Sequence, residues 1–72
     1  MHKMIVARWE SRGGKHWVEL EQTEFGFSYQ GNGCGGVMAA KKEYDALQEL
    51  MVKVNSGYFL PDSAKTPMRR VR

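Results

Sequence analysis

Between Ala40 and Asn55 the apolar residues Tyr44, Leu47, Leu50, Met51 and Val54 recur at spacings of three and four, with Lys41, Lys42, Glu43, Asp45, Glu49 and Lys53 at the other positions. That spacing lays one apolar stripe along one side of a helix and predicts a single amphipathic helix over residues 40–55. Asn55-Ser56-Gly57 is a good stop signal, whereas no Ser, Thr, Asp or Asn precedes the stripe as a cap. Ahead of the helix the pattern changes to period two, the signature of half-buried strands. One helical stripe and one set of strands can each be buried only against the other. The expected fold is therefore α+β, a three-stranded antiparallel meander packed against one C-terminal α-helix (β-β-β-α).

The strands follow from turn chemistry. Met4 to Ser11 is rich in β-branched and aromatic residues and halts at Arg12-Gly13-Gly14-Lys15, a Gly-Gly hairpin signal. With Gly13 and Gly14 as the loop, Trp9 faces Val18, Ala7 faces Leu20, and Arg8 faces Glu19 on the opposite side. Ile5, Ala7, Trp9, Val18 and Leu20 then form one apolar face, which a slip of one residue would send to solvent. Phe25-Gly26-Phe27-Ser28-Tyr29-Gln30 alternates cleanly and reads as the third strand. A tight connection around Thr23 and Glu24 pairs Leu20 with Phe27 and Val18 with Tyr29. Gly31-Asn32-Gly33-Cys34-Gly35-Gly36 reads as a glycine-rich break, followed by Val37-Met38-Ala39 as a short extended piece or a lead into the helix.

A chain of 72 residues accommodates one core. We expect residues 1–60 to form a single small α+β domain and residues 61–72, which lack periodicity, to form a flexible, disordered basic C-terminal tail. With 42% hydrophobic and 26% charged residues the chain is in the globular range. A domain this small is held by about 3 to 5 kcal/mol, so a homodimer would gain stability. The one cysteine, Cys34, has no internal disulfide partner, the N-terminus lacks an apolar signal-type run, and no stretch approaches the roughly 20 apolar residues of a spanning helix. A cytoplasmic protein with no membrane association is expected.

The net charge of +3 is unevenly placed. Residues 1–60 contain seven bases and seven acids, while Lys65, Arg69, Arg70 and Arg72 stand against Asp62 in the tail. The balanced folded part weakens the reading of a high isoelectric point as a nucleic-acid signal.

Few residues suggest chemistry. Gly31, Gly33 and Gly36 fit G-x-G-x-x-G, but no helix opens directly after them and no βαβ unit surrounds them. A Cys34 nucleophile would need His16 or His2 held beside it and a third group to orient the imidazole, and none is evident. His2, His16 and Cys34 lack the paired spacing of zinc sites. No metal, no cofactor and no catalytic residues are expected. Glu19 and Glu21 line the outer sheet face beside Arg8, and the register that buries Trp9 sends Trp17 to that same face with Glu10.

The run Trp9 to Leu20 containing Arg12-Gly13-Gly14-Lys15-His16-Trp17-Val18, the third strand, and the helix with Tyr44-Asp45-Ala46-Leu47 resemble the three-strand-plus-helix AP2-type DNA-binding modules across most of residues 4–55. The resemblance implies architecture. Those modules read DNA with a basic, aromatic sheet face, whereas this second strand carries Glu19 and Glu21, so no functional residue is carried over.

The expectation from sequence is a non-enzymatic protein-binding module of regulator or inhibitor type, using Arg8, Glu10, Trp17, Glu19 and Glu21 to hold a protein partner. The alternative is a nucleic-acid-binding accessory protein that contacts phosphates through the sheet or through Lys65, Arg69, Arg70 and Arg72.

Overall fold

The computed structural model describes residues 3–60 and 68–72. It is α+β, as the periodicities predict, with one helix against an antiparallel sheet. The strands are β1 (Met4–Glu10), β2 (Trp17–Thr23), β3 (Gly26–Gly31), β4 (Cys34–Val37) and β5 (Arg69–Arg70), and the helix is α1 (Glu43–Asn55). The meander of β1, β2 and β3 forms, but the sheet is wider than three strands. Its order is β4-β3-β2-β1-β5, so β4 and β5 are the two added edges.

The first hairpin has the expected register, although its connection is the six residues 11–16 and not a two-residue Gly13-Gly14 loop. Trp9 pairs with Val18, Ala7 with Leu20 and Arg8 with Glu19. Arg12–Gly14 makes one tight turn in which Gly13 and Gly14 take φ of 85° and 77°, a region that favours glycine. Below Ala7 the register shifts, and Ile5 pairs with Glu21. Directly opposed residues share a face, so the bulge at Val6 carries Ile5 off the inner face, where alternation alone had placed it.

The β2–β3 hairpin differs from expectation by two residues. Leu20 pairs with Tyr29 and Val18 with Gly31, and the turn residues are Glu24 and Phe25. A shift of two leaves every side chain on its own face, so Phe27 is still buried. Gly31-Asn32-Gly33 is the bend into β4, and the glycine-rich run is thus a hairpin where a break was expected.

The inner face and α1 enclose the core of Ala7, Trp9, Val18, Leu20, Phe27, Met38, Ala46, Leu50, Val54 and Met68. Within α1, Ala46, Leu50 and Val54 point inward while Tyr44 is 71% exposed, contrary to its place in the sequence stripe. The helix begins at Glu43 without a side-chain cap. It ends in a Schellman motif, with Tyr58 N–H donating to the Lys53 carbonyl and Gly57 N–H to the Val54 carbonyl, and Gly57 at φ 79°. No described helix is long and apolar enough to cross a membrane.

The last five residues also depart from the expected flexible tail. Met68 is buried, Arg69 and Arg70 pair with Glu10 and Trp9, and Val71 N–H donates to the Arg8 carbonyl at 2.8 Å. The rest of the tail, 61–67, lies outside the described residues.

Candidate binding face of the sheet

Alternation along β1 and β2 sends Arg8, Glu10, Trp17, Glu19 and Glu21 to the sheet face away from α1, and these residues form two separate groups. Arg8 is the hub of the first. Its Nε donates to Glu10 Oε2 at 2.7 Å, its Nη1 donates to Glu19 Oε2 at 2.9 Å, and its guanidinium carbon lies 4.6 Å from the centre of the Trp17 ring. The two carboxylates raise the Arg8 pKa above its ordinary range, Glu10 contributing most. One cation therefore serves two acids and an aromatic face, a mixed aromatic and charged surface with Trp17 half-buried at its centre.

Trp17 is held by backbone as well as by stacking. Its N–H donates to Asn32 Oδ1 at 2.9 Å, and Asn32 Nδ2 donates to the Lys15 carbonyl at 3.0 Å. The side chain of a turn residue thus ties the β1–β2 tip to the β3–β4 tip. No pattern in the sequence announces this reach of the Asn32 amide across to β2, which is a tertiary fact.

Glu21 belongs to the second group. The bulge that turns Ile5 toward it leaves it 4% exposed, with Lys3 Nζ 2.7 Å from its Oε2. That bond and the charge of Glu21 raise the Lys3 pKa. Glu21 is thus a covered member of an ion pair and does not join the surface around Trp17.

The remaining candidates are also placed. Gly31, Gly33 and Gly36 lie in the β3–β4 hairpin, and six residues separate Gly36 from the first residue of α1. Backbone amides at these glycines therefore open no helix toward a pyrophosphate. Cys34 is exposed on the β4 edge, and no hydrogen bond joins it to an imidazole among the described residues. Among the described residues no three of His, Cys, Asp and Glu come together to hold a metal. His2 and Lys65 lie outside the described residues, whereas Arg69, Arg70 and Arg72 are fixed beside β1. Sequence reasoning missed that placement because a two-residue ladder carries no periodicity.

Compared with models of protein families, with curated proteins and with solved structures, the chain matches none, the AP2-type modules included.

Proposed function

We propose that the protein is a non-enzymatic binding module whose outer sheet face, centred on Trp17 and ringed by Arg8, Glu10 and Glu19, docks a protein partner. The observation that carries this reading is the Arg8 side chain spread over Trp17 and clamped by two carboxylates on a face that α1 leaves open. The arrangement supports protein recognition in two ways. A half-buried indole offers large contact area at small entropic cost, and the clamps fix the guanidinium before any partner arrives. Because both acids occupy Arg8, this part of the sheet has little charge to spare for phosphates.

The test compares proteins captured from native lysate by the immobilised wild-type chain and by Trp17→Ala. A hot-spot tryptophan contributes about 2 kcal/mol or more, so a partner's Kd should weaken at least ~30-fold with folding intact by circular dichroism. A partner retained equally by both would refute the assignment of the face.

A further inference from the structure

We infer that the groove between the β1–β2 tip and β5 binds the phosphate backbone of a single-stranded nucleic acid, a site that adjoins the outer face around Trp17 and shares Glu10 with it. The groove has a volume of about 530 Å³ and is lined by Arg12 and Arg69 with Glu10, Ser11, Gly13 and Gly14. Its two cations come from opposite ends of the chain. Pairing of Arg69 with Glu10 brings the C-terminal bases beside the hairpin tip, where Arg12 and Lys15 stand.

Charge decides what this end of the sheet attracts. Arg12, Lys15, Arg69 and Arg72 gather here beside Glu10, whose Oε2 is already held by Arg8. Among the described residues, Arg12, Lys15, Arg69 and Arg72 have no carboxylate within ion-pair distance. Arginine forks match phosphate oxygens bidentately. The turn leaves room for a ligand, since nothing lies within 4 Å of the position a Cβ would take at Gly13.

A polymer fits better than a mononucleotide, because Arg12 and Arg69 in the groove are joined by Lys15 at the tip and Arg72 beyond β5, cations enough for more than one phosphate. An acidic peptide fits less well. Tight peptide complexes depend on buried apolar anchors, and the groove offers only Val71 as apolar lining.

The experiment is fluorescence anisotropy of a labelled single-stranded oligonucleotide, titrated with the full chain at several salt concentrations. Each neutralised phosphate adds about 0.7 to the slope of log affinity against log salt, so four contacts give a slope of about −3. The reversal Arg12→Glu/Arg69→Glu is expected to lower affinity at least ~10-fold and flatten the slope, while the charge-matched Lys41→Glu/Lys42→Glu before α1 loses much less. If the first variant fails to fold, Arg12→Ala/Lys15→Ala at the exposed tip should still flatten the slope. Three results would overturn the proposal: no salt-dependent binding by the wild type, equal losses in both reversals, or preference for a poly-glutamate peptide of equal charge.

Discussion

Asn32 acts toward Trp17 as though it were a strand residue: its side-chain oxygen accepts the Trp17 N–H at 2.9 Å, and its amide nitrogen caps the Lys15 carbonyl two residues earlier. Net contributions of such bonds are about 0.5 to 1.5 kcal/mol each. Asn32→Ala should therefore cost about 1 to 2 kcal/mol in urea unfolding and speed hydrogen exchange at the Trp17 amide. Asn32→Asp keeps the acceptor for Trp17 and loses the donor to Lys15, so its amide should remain slow to exchange. Equal exchange rates in the two variants would contradict this division of roles.

Close backbone approach should rank the glycines of the third and fourth strands. A Cβ at Gly31 would lie 2.6 Å from the Trp17 carbonyl oxygen, and one at Gly36 would lie 2.8 Å from the Tyr29 hydroxyl and 2.9 Å from its ring. At Gly35 the nearest atom, the Tyr29 carbonyl oxygen, is 3.3 Å away. Backbone yields less readily than a side chain. Gly31→Ala should be the most destabilising, Gly36→Ala intermediate at about 1 to 3 kcal/mol, and Gly35→Ala the mildest. Melting temperatures of the three variants check the order.

Met68 makes the C-terminal segment part of the core. It is 7% exposed among the buried residues, and the Arg70 guanidinium lies 5.8 Å from the Trp9 ring centre. Met68→Ala should cost about 2 kcal/mol, at the low end for buried methionines because the site is at the sheet margin. A chain ending at Leu60 should lose more, with Trp9 fluorescence shifting to the red as its edge is uncovered. Unchanged denaturant midpoints in both would return 68–72 to the status of a tail.

Stability should fall on the alkaline side. The Tyr29 phenol is held above its ordinary 10.0, chiefly by burial and then by Tyr58, and Lys3 is held above 10.5 by Glu21. In both cases the folded state keeps a proton that the unfolded state releases at its ordinary value. Their contributions are therefore complete below about pH 10 and decline as pH climbs from the ordinary values to the folded ones. Tyr29→Phe should show a shallower decline than wild type in urea midpoints measured from pH 8 upward. Identical pH dependence in the two proteins would show that the phenol contributes nothing.

What the sequence determined by itself is whatever depends on neighbours along the chain. The pairing of Trp9 with Val18 is made across a connection that stays within about ten residues of chain, and Gly57 stops the helix through contacts within one turn. Alternation gave the faces of β2 and β3 but not their register, since a shift of two preserves each face. The surface group of Arg8, Glu10, Trp17 and Glu19 was legible for the same local reason. Tertiary structure alone decided the rest. β4 could not be read because Gly35 and Gly36 have no side chains to alternate, and Glu21 left the expected site because a bulge at Val6 turned Ile5 and Lys3 over it. β5 depends on Trp9 meeting Arg70 and on Met68 entering the core, contacts across nearly the whole chain. Hydrophobic burial and an unfilled edge of hydrogen-bonding groups bring that segment to β1, and neither can be seen before the sheet exists.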